Sequence, residues 1–419
     1  MKIRNSRAAL ALLCVIYTFN FMDRQVVSVL AEPIKLDLRL SDTQLGMISG
    51  FAFAIFYTGF GLPVAALADR VSRVKVLAVA CSLWSISCAA CGLATNFVQL
   101  AAARIGVGLG EAGGVAPSYS IISDLFPPAE RARALAVFSL GVPFGLALGS
   151  GLAGWSAAQW GWRTSLLIVC IPGLALALLL ICLVPEPQRG AMDGGAIQPK
   201  ASLLETSKIF FRTPAIISTA MACAIGGIPN YALMAWMPAY MIRVLGMSLT
   251  EVSIYLSLTI AIAMGAGTWL SGLFADRWGA RDKRAYSWVS GGAMIAAVPF
   301  LIIGLSAQRW QIALPLMGLS LGCAGAYLTP AVSFIQNSVN ASQRSTAAAL
   351  QLLMVNLVGM GIGPLYVGMS SDWLHSSHGT ESLRIGLAGL APFLIAAALA
   401  NLVTMRVISR SREHKHALN

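Results

Sequence analysis

Residues 272–281 read Gly272-Leu273-Phe274-Ala275-Asp276-Arg277-Trp278-Gly279-Ala280-Arg281, and a looser copy, Ala65-Ala66-Leu67-Ala68-Asp69-Arg70-Val71-Ser72-Arg73, stands 207 residues earlier. Each copy closes a long apolar stretch. An Asp-Arg pair at matching places, separated by about half of a 419-residue chain, indicates a duplicated unit. Working outward from the two copies, apolar stretches fall at 8–30, 43–68, 75–95, 98–124, 131–155 and 162–184, then at 213–242, 250–274, 285–306, 310–337, 344–371 and 384–408. These are spans 1 to 12. A helix that crosses hydrocarbon needs about 20 largely apolar residues, so each stretch suffices for one crossing.

Composition agrees with this count. Hydrophobic residues make up 57% of the chain and charged residues only 11%, against about 25% charged in soluble domains. So few charges cannot cover a water-facing surface, which excludes a soluble enzyme. The predicted fold is an all-α membrane protein of twelve transmembrane helices, in two six-helix bundles related by pseudo-two-fold symmetry. The bundles are 1–184 and 213–408, joined by a cytoplasmic linker 185–212 and followed by a tail 409–419. Pro185, Pro187, Gly190, Gly194, Gly195 and Pro199 mark the linker, which also holds a short amphipathic piece at Leu203–Phe211. Two parallel six-span repeats around a midplane site is a recurring transporter plan.

The net charge of +12 is scattered in short clusters, not gathered into a nucleic-acid-binding domain. With the N-terminus taken as cytoplasmic, the inner segments carry 21 Lys and Arg and the outer loops 6, which places both termini in the cytoplasm. Short tails and loops point to a bacterial inner membrane, and a monomer is the expected state. Lys2, Arg4 and Arg7 imitate a signal peptide, but the apolar run continues to about residue 30 with no A-x-A-like site, so span 1 is retained. The eight Cys lie inside apolar stretches and read as small hydrophobes. No metal site is predicted, Cys88 and Cys91 included, and His375 and His378 read as solvated. Gly108, Gly110 and Gly113 satisfy a dinucleotide spacing without the strand that such a site needs. Close helix packing explains Gly106/Gly110/Gly114 and Gly141/Gly145/Gly149 better. No Walker A sequence occurs, so a proton gradient, not a bound cofactor, is the expected energy source.

The loop G-x-x-x-D-R-x-G-R after spans 2 and 8 resembles the hallmark of the major facilitator superfamily. The second copy has Gly272, Asp276, Arg277 and Gly279 with a basic residue, Arg281, soon after, and the first has Ala65 and Ser72 at the Gly positions. The resemblance implies that Asp69, Arg70, Arg73, Asp276 and Arg277 form a cytoplasmic gate motif, latching helix ends by charge. Two further blocks resemble the Spinster-like lipid transporters of that superfamily. One is Tyr17-Thr18-Phe19-Asn20-Phe21-Met22-Asp23-Arg24, and the other runs from Arg104 through Gly108, Gly110, Glu111 and Ala112 to Ala116-Pro117 and Asp124-Leu125-Phe126. Ala112-Gly113-Gly114 stands where that branch carries a bulkier run.

Four charges fall within hydrocarbon, where each costs at least about 2.5–3.5 kcal/mol: Asp23 and Arg24 in span 1, Arg104 and Glu111 in span 4. Counted at about 1.5 Å per residue, Asp23 rises about 22 Å from the inner edge and Arg104 descends about 9 Å from the outer one. In a core about 30 Å thick the two meet, so an Asp23–Arg104 pair is expected. Glu111 lies two turns deeper, without a partner in its own helix, and is the candidate proton carrier, with Asp23 and Arg104 assisting. The plain alternative is a structural charge network that never titrates. Spans 7–12 offer amides and aromatics instead. The expected substrate cavity is lined by Asn20, Arg24, Arg104 and Glu111 in the first half and by Asn230, Tyr231, Trp236 and Asn356 in the second. Three readings stand open: a proton-coupled carrier of an amphipathic lipid such as a lysophospholipid or sphingosine (or its phosphate), as the Spinster resemblance implies; a proton-coupled carrier of a small organic anion such as a sugar acid; and an uncoupled facilitator or sensor.

Overall fold

The computed structural model describes residues 5–192, 203–340 and 343–417. Gly194, Gly195 and Pro199 of the linker and the first basic residues, Lys2 and Arg4, lie outside them. Among the described residues the chain is helical, with no strand. Nine helices there are long and apolar enough to cross a membrane. Two of the nine are too long for one crossing. Arg133–Leu183 has 51 residues, and it turns at Gly161, whose φ of 80° is open to glycine at little cost. Thr346–Arg410 turns at Gly379, with φ 55°. A further crossing, span 4, is split into Phe97–Glu111 and Val115–Leu125, each too short to register alone. Together these make the twelve spans.

The internal repeat extends beyond the Asp-Arg motif. Span 2 opens on a capping box in which Ser41 accepts from the Gln44 N–H and the Gln44 side chain accepts from the Ser41 N–H. Span 8 opens on the same device with Ser248 and Glu251, again 207 residues on. Both spans then pass through a π-helical turn, Met47–Phe51 and Val252–Leu256. A short helix, Ala31–Leu38, stands between spans 1 and 2 and ends at Arg39 in the left-handed region. Glu32 in its first turn favours it through the helix dipole, and Lys35 ties it to Asp42, 2.6 Å away.

The chain forms two compact units, one of residues 5–192 with Met247–Ala261, the other of 203–246 with 262–417. In the first, spans 1 and 5 pack closely because Gly141, Gly145 and Gly149 bring the backbones together. A methyl at Gly145 would lie 2.3 Å from the Thr18 carbonyl oxygen. Spans 3 and 4 approach as closely, since a methyl at Gly110 would lie 2.5 Å from the Trp84 backbone nitrogen. The second unit is tied at one end by an apolar cluster drawn from all six of its spans, through Ile216, Ala275, Tyr286, Phe334, Ala347 and Ile408.

Candidate functional site

The first unit holds a buried charged cluster built from spans 1 and 4. Asn20, Asp23 and Arg24 follow one another at helical spacing on span 1, and Arg104 and Glu111 stand two turns apart on span 4. Asn20, Asp23, Arg104 and Glu111 are all buried, Glu111 with no exposed surface. The helix of Glu111 ends there. Gly113 and Gly114 donate to the carbonyls of Gly110 and Glu111 in a tight turn through Ala112–Gly114, so the carboxylate lies at a helix C-terminus, whose partial negative charge disfavours it.

Arg24 offsets that field. Its Nε donates to Glu111 Oε2 at 2.5 Å. Three aromatic rings hold the guanidinium, with centroids at 4.7 Å for Phe21, 5.1 Å for Phe53 and 4.6 Å for Tyr57; such contacts are worth about 0.5–2 kcal/mol each, depending on burial. Arg104 also stacks on Phe53, at 5.3 Å. The ion pair of this site is therefore Arg24–Glu111. The expected Asp23–Arg104 pair is not made: the two charges are close enough to act on each other, but no hydrogen bond joins them among the described residues. Depth alone could not settle this, because Arg24 extends along its aromatic neighbours to a carboxylate on another helix. Atoms of the cluster that keep no hydrogen-bond partner among the described residues include Glu111 Oε1, Asp23 Oδ1 and Arg104 Nε. Both amide atoms of Asn20 share that condition.

The second-unit residues divide. Tyr231 donates to Asn356 Oδ1 at 3.2 Å, joining span 7 to the π-helical turn Asn356–Met360 of span 11. Asn230 lies 3.9 Å from the Met264 sulfur. Trp236 is buried, and its indole N–H donates to the Pro364 carbonyl at 2.8 Å, which packs it between spans 7 and 11.

The gate-motif residues also divide. Asp69, Arg70, Asp276 and Arg277 are exposed at the ends of spans 2 and 8. Arg73 is buried, 1% exposed, and pairs with Asp124 and with Glu186, the latter at 2.8 Å, while also donating to Ser120 Oγ and the Pro187 carbonyl. Arg189 caps the end of span 2 by donating to the carbonyls of Ala68, Asp69 and Val71. The Gly190 N–H reaches Asp124 Oδ1 at 3.0 Å. Residues 186–190 thus clamp the ends of spans 2, 3 and 4. The sequence reading missed Glu186 and Arg189 as a clamp; the available signal was a Glu and an Arg two and five residues after Val184, the end of span 6.

Burial alone would raise the Glu186 carboxyl, but hydrogen bonds from Ser72, the Val74 N–H and Arg73 outweigh it and hold the group below the usual carboxylate range. A lowered carboxyl stabilises the fold above the unfolded value, about 4.3 for Glu, and that contribution is lost as pH falls through the folded value. Glu186→Gln should therefore lower the thermal midpoint at pH 7, and the gap to the unsubstituted protein should narrow as pH falls below the unfolded value, about 4.3. A gap as wide at pH 3 as at pH 7 would rule this account out.

The model of the Major Facilitator Superfamily matches residues 13–364. The chain belongs to the major facilitator superfamily. It is 32% identical to an MFS-type efflux pump of Mycolicibacterium smegmatis, over 94% of this chain and 90% of that one. It is 27% identical to a hexuronate transporter of Bacillus subtilis, over 90% of each, and 26% identical to a sphingosine-1-phosphate transporter of Danio rerio, over 94% of this chain and 83% of that one. A solved bacterial homolog of the human lysosomal transporter Spinster, in an inward-facing and unoccupied conformation, matches with TM-score 0.90 and 28% identity, over 98% of this chain and 99% of that one. Within the superfamily the chain is Spinster-like, a multi-pass membrane transporter and not an enzyme.

Proposed function

We propose that the protein is a proton-coupled secondary transporter of an amphipathic lipid, of the lysophospholipid or sphingosine and sphingosine-phosphate type, working by alternating access in a bacterial inner membrane as a monomer. Both termini would face the cytoplasm, on the 21-to-6 bias of Lys and Arg, with 1–184 and 213–408 as the two moving bundles. The observation that carries the coupling is Glu111: a fully buried carboxylate with one oxygen on Arg24 and the other unpartnered among the described residues. A proton taken up there neutralises Glu111 and releases Arg24. The freed guanidinium, still held by Phe21, Phe53 and Tyr57, then has a charge to offer an anionic headgroup. Asp23 and Arg104 adjust the field around the pair; Asn20 in the first half and Asn230, Tyr231 and Asn356 in the second offer polar contacts. Asp69, Arg70, Asp276 and Arg277 serve the cytoplasmic latch, with Arg73 behind them. The sphingosine-1-phosphate transporter among the relatives supports the lipid.

The hexuronate transporter among the relatives favours a second reading, a small organic anion. Arg24 or Arg104 would then anchor a carboxylate.

The test is equilibrium binding of a lysophospholipid, of sphingosine and of a hexuronate to the purified protein at pH 6 and pH 8, for the unsubstituted chain and Glu111→Gln. Lipid binding that changes with pH only while Glu111 is present supports the proposal. Lipid binding indifferent to pH in both proteins removes the coupling, and hexuronate binding without lipid binding selects the second reading.

A further inference from the structure

The helix Leu203–Arg212, the last part of the linker before span 7, has no part in the mechanism above, and its surface has three distinct faces. At about 100° per residue, Thr206, Ile209 and Phe210 share one side. Thr206 and Phe210 are fully buried, Ile209 packs against the apolar cluster at the end of the second unit, and Phe210 belongs to it. The helix rests on the start of span 7 and on Arg344–Val355 of span 11. The next sector carries Leu203, Leu204 and Phe211, which are 55%, 66% and 52% exposed. The third carries Lys208 and Arg212 with Glu205 beside them, all exposed, on the side turned away from the cluster, and its balance is cationic. Among the described residues neither cation forms an ion pair with a carboxylate.

A helix with a single apolar face would be explained by packing alone. Here a second apolar flank and a cationic flank remain after packing is complete. The level of the helix is also set, because the cluster under it joins the ends of all six spans of the second unit. Where six crossings begin or end, hydrocarbon gives way to headgroups. At that level exposed Leu and Phe side chains favour acyl chains, and Lys and Arg beside them meet phosphates, which is how interfacial amphipathic helices bind anionic bilayers.

We infer that Leu203–Arg212 is an anionic-phospholipid site, in which Leu203, Leu204 and Phe211 lie among acyl chains and Lys208 and Arg212 hold the phosphate of a lipid from the surrounding bilayer. Charge complementarity selects the occupant: the exposed charges of the helix are two cations and one carboxylate, Glu205. The site is independent of the cargo and of Glu111, and it lets membrane composition act on the start of span 7.

The experiment is native mass spectrometry of the full chain in detergent, titrated with phosphatidylglycerol or phosphatidylcholine. The double variant Lys208→Gln/Arg212→Gln should need about thirtyfold more phosphatidylglycerol for the same occupancy, each cation contributing about fivefold beside anionic headgroups. Its phosphatidylcholine binding should not change. Leu204→Ser/Phe211→Ser should weaken both lipids. All four positions are exposed, so thermal midpoints should match the parent. An undiminished preference for phosphatidylglycerol in the charge variant overturns the proposal. So does loss of a dimer in Leu204→Ser/Phe211→Ser with lipid binding intact, which would assign the face to a second copy of the chain.

Discussion

Glu111→Gln should stop proton-driven transport while leaving the protein folded. A positioned proton-transfer group is worth about 10²–10⁴-fold in rate, so transport under a pH gradient is expected to fall by at least about a hundredfold. Stability separates this reading from a structural one. Removing one partner of a buried ion pair costs about 3–5 kcal/mol when the pair exists to hold helices together. A carrier must instead tolerate a neutral residue at 111 in every cycle, because that is its protonated state. Gln is nearly isosteric with neutral Glu and reproduces that released state, in which the Arg24 guanidinium remains over Phe21, Phe53 and Tyr57. The thermal midpoint should therefore move by a few degrees only. Proteoliposomes that transport at the parental rate, or a variant that unfolds on purification, would each defeat this account.

How far the sequence leads depends on which physical signal is involved. Hydrophobic runs and the Asp69–Arg70 and Asp276–Arg277 copies suffice for twelve spans and an internal repeat, because crossing hydrocarbon imposes a length and composition that little else satisfies. The same offset reappears in the Ser41 and Ser248 capping boxes. The break in span 4 is less legible. Ala112-Gly113-Gly114 contains two poor helix formers, yet glycines are common in membrane helices, so the run reads equally well as continuous. The four membrane charges stand out individually, whereas their pairing does not. Axial depth brings Asp23 level with Arg104 but says nothing of the aromatic surface that carries Arg24 to Glu111. Arg73 fails differently. It sits in a motif read as a rim latch, but its partners Asp124 and Glu186 lie 51 and 113 residues away, and only the folded chain brings them to it.

Arg24→Ala should do what Glu111→Gln does not: it should both stop transport and destabilise the fold. The substitution leaves Glu111 with no exposed surface and no adjacent cation, and an uncompensated buried charge of this kind costs about 3–5 kcal/mol. The double variant Arg24→Ala/Glu111→Gln then becomes informative. With the carboxylate gone there is no charge left to compensate, so most of the lost stability should return, a coupling of at least about 1–3 kcal/mol between the two positions. Transport should not return, because both the proton site and the cation it releases are missing. Arg24→Lys lies between the two. Lysine keeps the charge but not the planar guanidinium that stacks on three rings while donating from Nε, so it should hold the fold better than it supports turnover. Additive losses in the double variant would mean that Arg24 acts through its aromatic contacts alone, and the pair at the centre of the proposed coupling would lose its role.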